Sequence, residues 1–237
     1  MMNLEQIRTT LGDLSGRTDL AEENTDLADF FINEGSKYLD RNSETQKTWA
    51  NNYSYLAVNS WYVQIPFCRA FKEVWLSSTT AKWQLEKISL NDMMSELLTT
   101  KVSLLSSGSP CYYCPAITRN VPEGSPLPTD ITDYSDILST TGSAYNAILV
   151  APVPNESLLV NALGIFYSKT LTLETDENYW SVVHPSLLIQ AALREIEIFN
   201  RNSTGVKDWE SAITSTLDGI NKDLVEEQIT DVDQMEG

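Results

Sequence analysis

Apolar residues recur at helical spacing at both ends of the chain. Near the N-terminus, steps of three, four and three residues predict a short amphipathic helix that ends at Gly16. After an acidic linker at residues 19–23, Thr25 or Asp26 is predicted to cap a second helix that ends near residues 41–43. Its apolar arc is wide, so we expect it to pack on two sides. The apolar positions of these helices are Leu4, Ile7, Leu11 and Leu14, then Leu27, Ala28, Phe31, Ile32, Gly35, Tyr38 and Leu39.

The helical spacing returns after residue 177. Pro185 stands where a first helical residue is favoured, and a loop at residues 201–203 separates this helix from a strongly amphipathic last one. Past Leu224 the apolar stripe fades, which predicts an acidic tail at residues 227–237. The apolar positions of these two helices are Ile189, Ala192, Leu193, Ile196 and Phe199, then Val206, Trp209, Ile213, Leu217, Ile220 and Leu224.

Between the helical ends, short runs rich in aromatic and β-branched residues predict strands. Residues 144–151 and 157–168 are predicted to pair as a hairpin, because the prolines between them are confined to the connection. Residues 103–142 are rich in Ser, Pro, Gly and Asp, so we expect a long protruding loop that a strand interrupts. The other predicted elements are strands at 53–58, 61–65, 70–76, 82–88 and 111–118, and a short helix with Met93, Met94, Leu97 and Leu98.

The predicted fold class is α+β. Residues 1–45 and 176–226 supply N-terminal and C-terminal helix pairs that pack as one helical bundle, since neither pair could bury its apolar stripe alone. Residues 46–175 are predicted to form a long inserted, β-sandwich-like domain with the long loop 103–142.

The net charge of the chain argues against several classes of function. The 237 residues include 16 Lys and Arg against 33 Asp and Glu, a formal charge of -17, with 42% hydrophobic residues. This composition is that of a globular protein, and it argues against a surface that grips nucleic-acid phosphates or anionic lipid. We expect no secretory signal in residues 1–10 and no membrane span, because the uncharged window 137–155 contains prolines and many polar residues.

The cysteines and the single histidine are the candidate metal ligands. A four-ligand zinc site would need Cys68, Cys111, Cys114 and His184 together, without a second paired motif to support it. We expect no metal and no other cofactor, and we interpret the cysteines as small apolar side chains. A redox disulfide between Cys111 and Cys114 is disfavoured, because prolines flank the pair where a thioredoxin-like motif would begin a helix.

Candidate catalytic residues are few, and we expect no enzyme. No phosphate-cradling glycine motif occurs, and His184, just before Pro185, is predicted to be a helix cap or a half-buried polar contact. The series Asp130, Asp133 and Asp136 lacks the spacing and closing Glu of a calcium loop. Carboxylate pairs such as Asp130 with Asp133, or Glu174 with Asp176, carry little information in so acidic a chain.

Most aromatic residues stand at alternating or helical positions, which assigns them to the core. The exceptions are Tyr112, Tyr113 and Tyr134 in the turn-rich segment, where aromatic side chains fit a contact with another protein. A carbohydrate- or receptor-binding module is the alternative that these aromatics and the β insertion support. A carboxylate-based hydrolase is a third hypothesis, supported only by the excess of acidic residues.

The order of motifs along nearly the whole chain resembles the head-to-tail adaptor, or connector, proteins of tailed bacteriophages. The segment 103–142 matches nothing specific in that family. The residues that carry the resemblance are 11–20, 29–35, 38–41, 148–154, 166–168, 171–173, Tyr179, Trp180, 183–189, 191–193 and Trp209.

The resemblance implies a structural virion protein without catalytic residues. Such adaptors form a ring homo-oligomer, typically a dodecamer, that binds the portal protein and a downstream tail or nozzle protein at the head–tail junction. DNA passes through the ring without specific binding, no membrane is involved, and assembly takes place in the host cytoplasm. The C-terminal tail of such proteins often reaches the portal.

In such a ring, the acidity of the chain would affect both the passing DNA and the contacts between subunits. A bore faced with carboxylates would let DNA slide, because it cannot bind phosphates. Neighbouring copies, each with a charge of -17, would repel one another. We therefore predict apolar or polar helix faces at the subunit contacts, and assembly that is easier at higher salt.

Overall fold

The computed structural model describes residues 1–22, 24–43, 49–93, 107–118 and 144–233. Contacts divide the chain into two compact units. We call the first, Met1–Thr48 with Tyr167–Gly237, the helical unit, and the second, Trp49–Phe166, the sandwich. The α+β fold class is confirmed, with helices at both ends of the chain and sheets between them. The predicted insert ended at residue 175, whereas residues 167–175 belong to the helical unit.

The N-terminal helices are α1 (Leu4–Ser15), α2 (Asp19–Glu22) and α3 (Thr25–Asn42). The side chain of Asn3 accepts a hydrogen bond from the backbone N–H of Gln6, and the Gln6 side chain returns one, so a capping box begins α1. Gly16 ends α1 as predicted, in the left-handed region at φ 69° that glycine adopts without strain.

Three details at this end differ from the prediction. The acidic linker contains the helical turn α2, and the residue that caps α3 is Asn24, without a side-chain cap hydrogen bond. Leu14 is exposed rather than buried, because it lies in the last turn of α1, at the edge of its apolar stripe. The wide arc of α3 is buried as predicted.

The C-terminal helices are α5 (Tyr179–Val183), α6 (Pro185–Phe199) and α7 (Ser203–Asp233). Pro185 is at the start of α6, as predicted. Phe199, predicted to be part of the apolar stripe, is exposed in the last position of α6. Helix α7 continues past the predicted end at residue 226 to Asp233, because residues 225–233 contain no glycine or proline that would end a helix. Only residues 234–237 of the predicted tail lie outside the described residues.

One hydrophobic core joins the helices from the two ends of the chain. Helices α3 and α6 cross closely at Gly35, where a Cβ atom would lie 2.8 Å from the backbone nitrogen of Ala192 and 2.9 Å from the carbonyl carbon of Ala191. Small residues on both helices allow this approach. The core residues are Leu4, Ile7, Leu11, Leu20, Ala28, Phe31, Ile32, Leu39, Leu171, Trp180, Leu187, Leu188, Ile189, Ala191, Ala192, Leu193, Ile196, Ile213 and Leu217.

The sandwich consists of two four-stranded sheets and a small two-stranded one. Sheet A has the order β1-β10-β3-β4, sheet B the order β2-β8-β7-β5, and β6 pairs with β9. Residues 90–93 form a described helical turn, α4. The strands are β1 (Trp49–Leu56), β2 (Tyr62–Gln64), β3 (Cys68–Ser77), β4 (Lys82–Gln84), β5 (Glu86–Lys87), β6 (Ser107–Gly108), β7 (Tyr112–Thr118), β8 (Ala144–Ala151), β9 (Val153–Pro154) and β10 (Leu158–Phe166).

Sheets A and B share a core, as a sandwich requires. Alternate residues of β10, namely Leu158, Val160 and Ala162, enter it from sheet A, and Ile148 and Val150 of β8 enter it from sheet B. Sheet B is also covered on its other face by a second cluster that includes Trp61, Met93 and Cys114. The continuous apolar run of β8 is therefore explained by burial on both faces.

The predicted hairpin of residues 144–151 and 157–168 is wrong. Strand β8 lies between β2 and β7 in sheet B, whereas β10 lies between β1 and β3 in sheet A. Both runs are apolar, and placing them centrally in different sheets buries each against the other sheet. The connection between them contains β9, which pairs with β6 instead.

The predicted single strand 82–88 is also wrong, because the chain changes sheets within it. β4 pairs with β3 in sheet A, and β5 pairs with β7 in sheet B. Leu85 lies between them with its side chain in the shared core, and its backbone N–H donates to the carbonyl of Val74 at 2.9 Å. The alternation detected in the sequence continues through this corner.

We expect Gly35→Ala to destabilise the helical unit by about 1–3 kcal/mol, because the added methyl group overlaps the α6 backbone. Urea unfolding of the full chain, followed by helical circular dichroism, measures this effect. The matched control is Gly219→Ala in α7, where a Cβ meets nothing within 4 Å. This control should gain about 0.5–1 kcal/mol from helix propensity. Equal effects of the two substitutions would contradict the close crossing.

Candidate interaction surfaces

The candidate metal ligands are not gathered into a site. Cys68 and Cys114 are buried in different hydrophobic clusters, and Cys111 is exposed. Burial raises the pKa of Cys68 to about 11 and also raises the pKa of Cys114, so both thiols stay protonated. Within the described residues no group of three or more His, Cys, Asp or Glu side chains could hold a metal ion.

His184 lies at the junction of α5 and α6. Its carbonyl accepts hydrogen bonds from the N–H groups of Leu187 and Leu188 at 3.1 Å, so its backbone caps α6. Its half-buried ring lies 5.9 Å from the ring of Tyr179 and 6.2 Å from that of Trp180, between centroids. The prediction of a helix cap is thus confirmed for the backbone of His184, and its ring is half-buried against two aromatic side chains.

Of the other candidates, only some fall on described residues. Asp130, Asp133, Asp136 and Tyr134 lie outside them, as does most of the predicted loop 103–142. Tyr113 is a core residue of the sandwich, so its assignment to a contact surface was wrong, whereas Tyr112 is exposed. Alternation along β7 sends the two rings to opposite faces.

Sequence reasoning missed a polar row on α3. Asp29, Asn33, Ser36 and Asp40 recur at spacings of four, three and four, and this pattern places them on one helical face. A search for apolar periodicity alone does not detect such a row, although the same spacing rule applied to polar residues does. We call these four residues the polar row.

The polar row binds the segment of residues 167–178, which we call the strap. The Asn33 side chain donates to the carbonyl of Leu171 and accepts from its N–H, both at 2.9 Å. Ser36 accepts from Asn178 at 3.2 Å. Asp29, at the other end of the row, forms two 2.6 Å hydrogen bonds with Arg8 of α1, and these bonds raise the pKa of the guanidinium.

Asp40 is the most buried member of the row. One carboxylate oxygen accepts from the backbone N–H of Ser168 at 2.7 Å. The other accepts from the Ser168 hydroxyl and from the indole N–H of Trp180, both at 2.8 Å. The carboxylate therefore satisfies three donors and holds the large side chain of Trp180 in the core.

Asp176 organises the strap from within. Its carboxylate accepts from the N–H groups of Leu173 and Thr172 at 3.0 Å, and the ammonium of Lys169 lies 2.6 Å away. These contacts, with the Leu173 backbone first, hold the pKa of Asp176 well below its ordinary value of 3.8. Its own carbonyl accepts from the N–H of Leu4 at 3.1 Å, so the strap also receives the start of α1. These residues are structural, and the pair with Glu174 carries no sign of acid–base chemistry.

The outer face of sheet A is different in character. Tyr53 and Tyr55 are 63% and 79% exposed, and Trp49 on the same face of β1 is exposed as well. The expectation that such alternating aromatics are core residues is therefore wrong for this strand. Leu159, Leu163 and Ile165 of β10 lie beside them in register and are half-buried. We call these six residues the β1–β10 face, an apolar surface of the kind that marks interaction sites.

The two units carry very different charges. Residues 1–48 and 167–237 contain 24 acidic and 10 basic residues, a net charge of -14, whereas residues 49–166 contain nine and six, a net charge of -3. No charged residue occurs from Trp49 to Cys68, nor from Ser157 to Ser168. The six residues of the β1–β10 face are thus uncharged, although Glu73 of β3 lies opposite Leu163 and the ammonium of Lys72 lies 5.4 Å from the centroid of the Trp49 ring.

A comparison with protein families decides the relationship. A family model described as "SU10 adaptor protein" matches residues 2–233. The chain belongs to the SU10 adaptor protein family. A comparison with curated proteins finds no match.

Membership in the SU10 adaptor family confirms the coarser part of the expectation from sequence. The protein is a structural adaptor of the phage type, a class whose role is to contact other virion components rather than to catalyse a reaction. In the part of the chain that the structure describes, no helix has both the length and the apolar character to cross a membrane. The polar row and strap are therefore scaffold, and the exposed surfaces are the candidate sites of function.

We expect Asp40→Asn to destabilise the helical unit by about 1–3 kcal/mol, because an amide NH₂ would face donors that the carboxylate now satisfies. Urea unfolding followed by tryptophan fluorescence reports the loss, since Trp180 is one of the donors. Asp208→Asn, an exposed site on α7, is the control and should stay within about 0.5 kcal/mol of the parent. Equal stability of the two variants would show that Asp40 does not hold the strap.

The pH dependence of stability follows from Asp176. Because its pKa is lower in the folded chain than in the unfolded one, its contribution is present above pH 3.8 and is lost as the pH falls through the folded pKa. Below pH 3.8 the unfolding midpoint should therefore fall less steeply in Asp176→Asn than in the parent. Glu177→Gln, an exposed neighbour, is the control and should keep the parent's slope. Identical slopes for parent and Asp176→Asn would contradict this assignment.

Proposed function

We propose that the protein forms the head-to-tail adaptor ring of a tailed phage, between the portal and the tail, and extends the DNA channel. The observation that carries the proposal is the family match over residues 2–233, nearly the whole chain. The proposed partners are other copies of the chain, typically twelve in a ring, the portal protein, and a downstream tail or nozzle protein. The proposed location is the head–tail junction of a virion assembled in the host cytoplasm.

Charge supports a channel that DNA crosses without being held. The helical unit has a net charge of -14, and carboxylates repel the phosphates of a passing duplex. In the proposal, the helical unit builds the ring wall, and the sandwich faces outward or toward the tail. The acidic residues 227–237 reach toward the portal. No catalytic, metal or cofactor role is assigned to any residue.

A second candidate function is favoured by the β1–β10 face. Exposed flat rings such as Tyr53 and Tyr55 on a sheet are also suited to stacking on sugars, as in a carbohydrate- or receptor-binding module of a virion. A glycan panel distinguishes the two functions, because the adaptor should bind no sugar. Sugar binding lost on Tyr55→Ala would favour the module.

We expect the purified chain to associate more readily as salt rises, because each copy carries a charge of -17. Between about 0.1 M and about 1 M salt the Debye length falls from about 10 Å to about 3 Å, which screens the repulsion between copies. Sedimentation velocity in sodium chloride measures the shift. Sodium thiocyanate is the control, since it screens charge without strengthening apolar association. Assembly that weakens with salt in both would contradict the proposal.

Electron microscopy of the chain, with and without the portal protein, tests the ring itself. The expected result is a closed ring that stacks coaxially on the portal ring. A chain that stays monomeric at every salt concentration and does not associate with the portal would overturn the proposed function.

A further inference from the structure

Among the described strands, β1 is a long edge strand. Within the described strands, sheet A ends at β1 and β4, and sheet B ends at β2 and β5. The edges β2, β4 and β5 are two or three residues long, whereas β1 is eight residues long. An edge of that length presents a row of unpaired backbone N–H and C=O groups.

The sequence of β1 lacks the features that usually protect an edge strand. It contains no lysine or other charged residue and no proline, and its register with β10 runs from Trp49 opposite Ile165 to Leu56 opposite Leu158 without a bulge. By contrast, the short edge β4 carries Lys82. Natural sheets usually protect an edge strand that does not pair with another chain. The sequence of β1 therefore permits pairing with another strand.

In β1, polar side chains point toward sheet B and aromatic side chains point outward, which is the reverse of an ordinary sandwich strand. The residues that face sheet B include Asn52 and Ser54, which hydrogen-bond to each other at 2.9 Å. The residues that face outward include Trp49, Tyr53 and Tyr55. A strand with its polar residues inward and its aromatic residues in solvent is stabilised when the outer face is also covered.

The outer face continues from β1 across β10 to β3. On this face Asn161 lies between Tyr53 and Trp75 in register. The exposed edge and the exposed outer face therefore lie next to each other on β1.

Charge selects a second copy of this chain as the partner. Two copies approach most easily through a surface with few carboxylates, and β1 and β10 contain no charged residue. On the neighbouring β3, Glu73 lies opposite Leu163, and the ammonium of Lys72 lies over the Trp49 ring. Among the other exposed aromatic rings, Phe67 and Tyr112 also lie on the sandwich, whereas Phe30 and Phe199 lie on the helical unit, whose sequence around them contains Asp26, Asp29 and Glu197. Repulsion between copies would be greater there.

We propose that the β1 edge and the β1–β10 face bind a neighbouring copy, so that backbone pairing at β1 extends sheet A across the subunit boundary. This inference rests on the proposed ring and names one of its subunit contacts. The outward N–H and C=O groups of β1 supply the pairing, and the aromatic side chains beside them bury apolar area against the neighbour.

The first test is the double variant Tyr53→Lys with Tyr55→Lys, which gives β1 the charges that protected edges carry. We expect the dissociation constant for self-association, measured by sedimentation at fixed salt, to rise by about tenfold or more. The matched control is Leu14→Lys with Leu173→Lys, at 63% and 65% exposed sites of the helical unit with the same change of charge. The control should associate as tightly as the parent, and circular dichroism verifies that both variants are folded.

The second test separates strand pairing from simple contact. Hydrogen exchange of the parent chain, as monomer and as assembled ring, follows the amides of residues 49–56. We expect those amides that point away from β10 to exchange slowly only in the ring. Fast exchange in the ring would overturn the pairing, even if the tyrosines lie in a contact.

The outcomes also distinguish this inference from the proposed function. A parent chain that forms no ring, alone or on the portal, contradicts the function itself. A parent and a tyrosine variant that form equally stable rings contradict only the β1 contact. The β1 contact is also contradicted if the tyrosine variant forms its ring but no longer binds the portal, because the face would then bind the portal instead of a neighbouring copy. It is contradicted as well if only the helical-unit control fails to assemble.

Discussion

The hydrogen bonds between the polar row of α3 and the strap hold the two ends of the chain together. Asp40 is buried among apolar side chains and satisfies the Ser168 backbone, the Ser168 hydroxyl and the Trp180 indole at once. Removing such a carboxylate would leave several buried donors without a partner, which costs more than the bonds themselves contribute. Residues about 130 positions apart in sequence are thereby joined, and Trp180 and helix α6 take their places in the core that contains Gly35.

The two large sheets of the sandwich differ in how their faces are covered. Sheet B is covered on both faces, and the buried run of β8 between Ala147 and Ala151 reflects this. Within the described residues, sheet A is covered on one face only, although β10 is mostly apolar on both. On the other face, the residues of β1 and β10 carry no charge, in a chain whose acidic residues are concentrated in the helical unit. In the proposed ring, this separation of apolar and acidic surfaces would let copies associate while carboxylates repel DNA phosphates.

Periodicity predicted the helices well, because steps of three and four residues are local and follow from the geometry of the helix. The N-terminal helices, the start of α6 at Pro185 and the α+β class were all accessible in this way. The strands were located but their partners were not, since β8 and β10 look like a hairpin in sequence and lie in different sheets. His184 caps a helix as predicted. Tyr113, which was expected on a contact surface, is buried, whereas Tyr53, which was expected in the core, is exposed.

The sequence by itself determined the composition of the helical faces, the acidity and the family resemblance, because these depend on residue types and short spacings. Only the tertiary structure decided which side of each strand is covered. Alternation separates the two faces of β1, but it does not say whether Asn52 and Ser54 or Tyr53 and Tyr55 turn toward sheet B. That choice depends on where a second sheet packs, which is a long-range property. In this protein it leaves Trp49, Tyr53 and Tyr55 exposed on β1, an edge strand of sheet A.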